Sequence, residues 1–337
     1  MTPATPQQPT LLNSATRLFA AAILGVAGLL QLLSYFARHW WLADLAANLR
    51  IQWMLATLTG TLLFVFARQP RGILLGGLVA ICSLPPIWSG LPSSPQSISP
   101  RSAKAASDTL TIACFNVLSD NRQLDAVLDQ IRASRADVVA LLEFTPALQR
   151  RMREELLAEY PWFLEHPSEG NFGIALYSRS ALSESRLFRL AAPQLPSIEA
   201  TIEFQGQQVR LYATHPLPPI PVAGFADRNQ HLTELAERIR HYRQLHDSHA
   251  VLVMGDLNVT PWSPLFQDFR QQTGLHRSDG GLEPTWYARP LFPCGLVLDH
   301  ILHDDRLACT ACDVGGAAGS DHRLIRSEFR SCPAADE

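Results

Sequence analysis

Lysine is almost missing. Lys104 is the only one in 337 residues, so the remaining cations are arginines. Acids are nearly absent from the first hundred positions, where Asp44 stands alone against Arg17, Arg38, Arg50, Arg68 and Arg71. The chain carries a formal charge of −3, and the part from residue 101 onward is therefore acidic by about seven charges. A general nucleic-acid binder has the opposite, basic footprint. A second Cys-x-x-Cys is also lacking, so Cys309-x-x-Cys312 is a weak zinc or redox signal. No internal repeat and no long low-complexity tract is present, which excludes repeat architectures.

Charge is missing from three runs near the start. Residues 18–36, "LFAAAILGVAGLLQLLSYF", are long enough to span a bilayer. Residues 51–67 and 72–88 are near the lower limit of about 17 residues for a spanning helix. Trp40, Trp41, Trp53 and Trp88 lie near the ends of these runs, where an interfacial aromatic belt places them. A cleaved signal peptide followed by a buried hairpin fits less well, because the first run is long for a signal core and two more follow closely. The expected organisation is a disordered N-terminus (1–17), a three-helix transmembrane region (18–88), a Ser/Pro/Ala-rich linker (89–107), a catalytic domain (108–330) and a tail (331–337). The tight loop "RQPR" at 68–71 belongs on the cytoplasmic side by the positive-inside rule, which places the large domain on the extracytoplasmic, periplasmic side of a multi-pass inner or plasma membrane protein. Cys82 falls in a span and Cys114 in an apolar run. Cys294, Cys309, Cys312 and Cys332 could pair as disulfides in an oxidising compartment, and structural roles are favoured for them.

The large domain is built from short apolar runs bounded by turn signals, the pattern of buried strands. Several end on a chemically useful residue. "TLTIACFNVL" (109–118) contains Asn116, "ADVVALLEF" (136–144) holds Glu143, and "QVRLYATHP" (208–216) reaches His215. "VLVMGDLN" (251–258) ends in Gly255, Asp256 and Asn258. "GLVLDHILH" (295–303) holds Asp299 and His300, and "SDHRLIRSEF" (320–329) opens on Asp321 and His322. Between them, 122–134 and 226–245 show apolar residues at helical spacing. The segment 198–214 reads as a hairpin, so a mixed sheet or sandwich flanked by helices is expected. Taken singly the residues have ordinary readings: Asn116 a strand-end turn, Glu143 an exposed strand end, His215 a loop residue before proline. Asp299 is different, because an unpartnered buried carboxylate is costly. His322 is its natural partner. Together the set offers hard oxygen ligands suited to Mg2+, Mn2+ or Ca2+ and a histidine oriented by a carboxylate, which suits hydrolysis of a phosphate ester by activated water.

The motifs "FNVL", "LLEF", "GIALYSR", "THP", "GDLN", "LDHIL" and "SDH" resemble those of the endonuclease/exonuclease/phosphatase (DNase I-like) superfamily over about residues 108–330. The resemblance implies a four-layered α/β sandwich and a divalent-metal-dependent hydrolase using Mg2+ or Mn2+. It implies Glu143 as the main metal ligand, Asn116 beside it and Asp321 approaching from the far side. It implies His322 as general base oriented by Asp299, Asp256 positioning the water, Asn258 holding a phosphate oxygen, and His215 stabilising the phosphoryl group or protonating the leaving oxygen. Gly255 is read as permitting the turn. Tyr177 or Asn171 could line the cleft. Arg228 reads as a surface salt-bridging residue rather than an anion contact. Two positions depart from the family pattern: Leu142 stands where many members have Gln, and His300 where many have an aromatic ring. Three functions follow. They are a phosphoesterase acting on a lipid head group or other membrane-proximal phosphoester, a membrane-tethered nuclease on DNA or RNA, and a non-catalytic binding module on the same fold. The acidic domain and the apolar start favour the first.

Overall fold

The computed structural model describes residues 11–91, 109–192, 194–278, 281–288 and 295–332. Most of the expected linker, residues 1–10, Cys294 and residues 333–337 lie outside them. The chain forms two compact units, one of Met1–Gly90 with Trp262–Pro264 and one of Leu91–Pro261 with Leu265–Glu337.

The first unit is helical: α1 (Leu11–Leu33), a 3-10 turn (Ser34–Phe36), α2 (Trp41–Asn48), α3 (Arg50–Phe66) and α4 (Pro70–Gly90). Residues 11–17, expected in the disordered start, already belong to α1. Two helical stretches, Ser14–Phe36 and Pro70–Gly90, are each long and apolar enough to cross a membrane. The expected middle span differs. Its run forms the 17-residue α3, and α2 and α3 meet at a 68° bend, so the spans number two, or three if that bent pair acts as one. Leu18, Phe19, Leu74 and Trp88 point outward and are largely exposed, an apolar surface of the kind a bilayer covers.

The second unit holds β1 (Leu110–Asn116), α5 (Leu124–Ser134), β2 (Val138–Leu142), α6 (Pro146–Glu155), β3 (Trp162–His166), β4 (Ile174–Ser178), β5 (Ser183–Leu190), β6 (Leu195–Phe204) and β7 (Gln207–Thr214). It continues with α7 (Val222–Leu245), β8 (Ala250–Asp256), α8 (Pro264–Thr273), β9 (His276–Arg277), β10 (Trp286–Tyr287), β11 (Gly295–Leu296), β12 (Asp299–His303), β13 (Leu307–Val314) and β14 (Ile325–Ser331). Among the described residues these strands form two six-stranded sheets, ordered β13-β14-β1-β2-β4-β3 and β5-β6-β7-β8-β12-β9. β1–β2 and β7–β8 are parallel, each joined through a helix, and the neighbouring pairs are antiparallel.

Alternation decides the layers. Ile112, Cys114, Val138 and Ala140 face the other sheet, where Ile198, Leu211, Leu252 and Met254 meet them. The opposite side of the first sheet, with Phe115, Val139 and Leu141, packs on Val127, Leu128 and Ile131 of α5 and on α6. The opposite side of the second, with Tyr212, Val251 and Val253, packs on Leu235 and Ile239 of α7 and Phe266 of α8. Four layers result, and the central strands are buried on both faces, which is why they read as nearly unbroken apolar runs. This is a mixed α/β two-sheet sandwich, four layers deep, as the resemblance implied. Cys82, Cys114 and Cys332 carry free thiols, against the disulfide expectation for Cys332. The Cys309 sulfur lies 3.4 Å from the Ala311 carbonyl, and Cys312 receives a hydrogen bond from Ser327.

Candidate active site

The parallel pairs set where the chemistry converges. Asn116 ends β1, Glu143 follows β2, His215 follows β7 and Asp256 ends β8, all at the carboxyl ends of parallel strands, where open α/β sheets bind ligands. Asp299 opens β12 directly across the antiparallel register from Asp256. His322 lies just before β14 and faces Trp286 in an isolated bridge.

Asp256 Oδ2 is the hub. Asn116 Nδ2 donates to it at 3.3 Å, and His215 Nε2 and His322 Nε2 each lie 3.5 Å away. The other oxygen, Oδ1, accepts the Asn258 N–H at 2.9 Å. His322 Nδ1 and Asp299 Oδ2 are 2.8 Å apart. An ionised carboxylate only accepts, so Nδ1 is the donor and Nε2 is left facing the hub. Asn116 Nδ2 also donates to Glu143 Oε1 at 3.1 Å, and the Ser119 N–H donates to Oε2 at 2.9 Å. Glu143 and Asn258 sit at φ +57° and +50°. Left-handed conformations at residues other than glycine cost of order 1–3 kcal/mol and collect at functional sites.

Asp256, Asp299 and His322 each place a ligand-type atom within 4.8 Å of the others. His322 Nδ1 and Asp299 Oδ2 are already joined by a hydrogen bond, so this trio reads as an oriented base rather than a cation cage. The residues expected to hold a cation fit the task better. Glu143 retains lone pairs beyond its two hydrogen bonds. Asp321 Oδ2 accepts the Trp286 indole N–H at 3.0 Å, while its buried Oδ1 forms no hydrogen bond. One or two carboxylates with waters and substrate oxygens are a usual Mg2+ set.

Electrostatics follow from this crowding. Burial alone would lower the pKa of His322, but the charges of Asp299 and Asp256 override it and push it to about 10. Burial works against ionising Asp256 as well, yet His322 and His215 hold it at about 2. Asp299 is raised, by burial first and then by the Asp256 charge, with His322 opposing. His215 is raised too: burial opposes, and Asp256 and Glu143 outweigh it. The protein groups alone therefore favour an imidazolium between two carboxylates.

Several expectations need correction. Arg228 is not on the surface. It is fully buried on α7, and its guanidinium donates to the Asn258 carbonyl at 3.0 Å, because that strained loop turns a carbonyl inward. Gly255 serves a close approach rather than a turn: a Cβ there would lie 2.0 Å from the Thr214 carbonyl oxygen on β7. The turn falls at Asn258, whose Nδ2 donates to the Pro216 carbonyl at 3.0 Å. Tyr177 packs between Phe144 and Phe163 in the core and donates to Glu165, whereas Asn171 accepts a hydrogen bond from Ser119 beside Glu143. His300 does an aromatic residue's work. Burial holds it neutral, near pKa 3, its ring lies 4.5 Å from that of Phe266, and Nε2 meets the Val259 carbonyl. Leu142 is core.

Other supports carried no sequence signal. The Thr285 hydroxyl accepts the Leu298 and Asp299 N–H groups, both at 3.0 Å. The Ser320 hydroxyl donates to the Asn116 carbonyl at 2.8 Å and accepts the His322 N–H at 3.0 Å. A serine or threonine is too common for its identity alone to mark such a role.

The family model for the endonuclease/exonuclease/phosphatase family matches residues 113–322. Among solved structures, the human Nocturnin catalytic domain with bound sulfate anion is similar at 18% identity, covering 67% of this chain and 95% of that one, with a TM-score of 0.56. D. rerio TDP2 complexed with single strand DNA product is similar at 17% identity, covering 66% and 99%, with a TM-score of 0.55. An endonuclease/exonuclease/phosphatase from Beutenbergia cavernae is similar at 20% identity, covering 66% and 72%, with a TM-score of 0.53. Identities this low speak for the fold alone. No curated protein matches the chain.

Proposed function

The chain belongs to the endonuclease/exonuclease/phosphatase family, whose members are hydrolases acting on phosphoester bonds, and from that premise we propose that it is a membrane-anchored, divalent-metal-dependent phosphoesterase. The observation that carries the reading is the convergence of Asn116, His215 and His322 on Asp256 Oδ2, with Asp299 bound behind His322.

In this reading His322 is the general base. Asp299 fixes its tautomer and keeps Nε2 turned toward the attacking water, and Asp256 orients that water. Glu143, held by Asn116 and the Ser119 N–H, is the main ligand of Mg2+ or Mn2+, with Asp321 on the other side. A divalent cation held there would polarise the phosphoryl oxygen and offset the charge on it. His322 acts from its neutral form, taking the water's proton at Nε2 while Asp299 holds the proton on Nδ1. His215, protonated beside Asp256, stabilises the phosphoryl group or gives its proton to the leaving oxygen. Asn258 holds a phosphate oxygen, and Arg228 fixes the Asn258 backbone.

The substrate we favour is a lipid head group or another membrane-proximal phosphoester, because α1 and α4 can hold the enzyme at a bilayer and raise the local concentration of such a substrate. The catalytic domain is proposed at residues 108–330, as read from the sequence, on the extracytoplasmic side. The test is an assay of the full chain in neutral detergent with Mg2+ or Mn2+. Substrates are phospholipid micelles, a generic phosphodiester, plasmid DNA and RNA, with His322→Ala and Glu143→Ala as controls. Head-group release lost in both variants is expected. Nucleic-acid cleavage lost in both would make the chain a membrane-tethered nuclease. Activity indifferent to both variants would remove the site assignment, and a metal-binding chain with no hydrolysis of any of these would point to a binding module. A reporter fused after Glu337 and active only in the cytoplasm would overturn the orientation.

A further inference from the structure

On the α7 side of the second sheet, away from the strand ends that build the catalytic site, lies a cavity of about 520 Å3. Glu199 on β6 and Arg210 and Tyr212 on β7 line it, with Arg186 on β5 and Arg238 and His241 on α7. Tyr242, His246 and Glu184 also line it. None of these residues belongs to the catalytic site.

Its charge does not close on itself. Glu199, only 1% exposed, is approached by all three guanidiniums: Arg186 bonds it, Arg210 lies at 3.0 Å, and Arg238 donates through two nitrogens at 2.6 and 2.8 Å. Glu184, the other acid, is 64% exposed and lies 3.4 Å from Arg210. Three arginines thus meet two acids, one of them shared three ways and the other facing solvent. Arg210 has only 3% of its side chain exposed, and its Nε forms no hydrogen bond. Its other two nitrogens are held by Glu199, Thr201 and Glu184, and its guanidinium lies over the Tyr212 and Tyr242 rings. A purely structural ion cluster balances its charge and fills its space; this one keeps a surplus cation beside an open cavity. His241 and His246 add ring nitrogens, able to hydrogen-bond, to the same wall. The Tyr242 and His246 rings stack at 4.5 Å and offer a flat surface.

We propose that this cavity is a second ligand site, which binds a small phosphorylated anion. Planar guanidinium forks match phosphate oxygens, and an anion takes up the surplus arginine charge. Arg186 and Arg238 reach the ligand, while Arg210 stands behind Glu199. The inference is independent of the phosphoesterase reading, since it uses none of the catalytic residues.

The test is calorimetric titration of inorganic pyrophosphate into the full chain in neutral detergent with EDTA, so that no lipid phosphate competes and no cation bridges the probe to Glu143. Two variants move the affinity in opposite directions. The pair Arg186→Gln/His241→Gln, both on exposed side chains, should raise Kd by at least about tenfold. Glu184→Gln, which removes a rim carboxylate, should lower it. His215→Ala should leave it unchanged, and thermal unfolding of all variants should match the wild type. The proposal fails if pyrophosphate gives no heat up to about 10 mM. It fails equally if the paired substitution leaves Kd unmoved, or if His215→Ala abolishes binding.

Discussion

Replacing Asp299 by Asn tests the catalytic reading most directly. The substitution keeps the size of the side chain and removes one charge 2.8 Å from His322 Nδ1. Within the protein the His322 pKa rises from the ordinary 6.5 to about 10, against burial. At 1.36 kcal/mol per unit, the surrounding carboxylates favour the imidazolium by roughly 5 kcal/mol net. Asp299 is nearer than Asp256, at 2.8 against 3.5 Å, and is the larger of the two charges that raise the His322 pKa. Losing about 3 kcal/mol from a transition state in which His322 takes a proton slows turnover about a hundredfold. An amide that also holds the wrong tautomer brings the loss toward about 10⁴-fold. The assay is kcat on a generic phosphodiester at saturating Mg2+, with the thermal midpoint measured alongside. A variant that folds normally and keeps kcat within about threefold of the wild type would refute the argument, because so small a factor is under 1 kcal/mol.

Other outcomes follow from the same geometry. Asn116→Ala removes the amide that orients Glu143, so the Mg2+ concentration for half-maximal activity should rise about 10- to 100-fold; an unchanged Mg2+ titration counts against Glu143 as the ligand. Gly255→Ala drives a Cβ to 2.0 Å from the Thr214 carbonyl and should cost about 1–3 kcal/mol in urea unfolding; a neutral effect would mean β7 and β8 separate freely. Burial would raise the pKa of Glu199, but Arg238, Arg186 and Arg210 hold it near 2 rather than 4.5. That ion cluster contributes about 3 kcal/mol above pH 4.5, lost as pH falls from 4.5 toward 2. Glu199→Gln should flatten stability over this window, and an equally steep loss in the variant would exclude the cluster as its source.

The layers and the site were legible for a shared reason. Strands buried on both faces leave apolar runs with sharp ends, and Asn116, Glu143, His215 and Asp256 sit at or just beyond those ends. The Asp299–His322 pair was foreseeable because a carboxylate inside "LVLDHIL" needs a partner. Arg228 was not, since an arginine on an amphipathic helix reads as solvated. The inward Asn258 carbonyl and the Asn229 side chain, both of which accept its N–H groups, account for its burial. Gly255 has the same character: a turn and a close strand approach both demand glycine, and only the neighbouring strand tells them apart. Thr285, Ser320 and Trp286 act through hydrogen bonds to residues placed by the fold, at separations that leave no local pattern. The 68° break between α2 and α3 was likewise invisible to an uncharged-run reading.

One oxygen, Asp256 Oδ2, answers to Asn116, His215 and His322 together. Substitutions at those three positions therefore draw on a common account of electrostatic energy, and their costs cannot add. Once Asp256 is replaced, a further change at His215 or Asn116 should lose much of its effect, so double-mutant cycles through this atom should show coupling of about 0.5–3 kcal/mol. A lineage drifting away from hydrolysis would then lose these side chains in quick succession after the first, rather than one at a time.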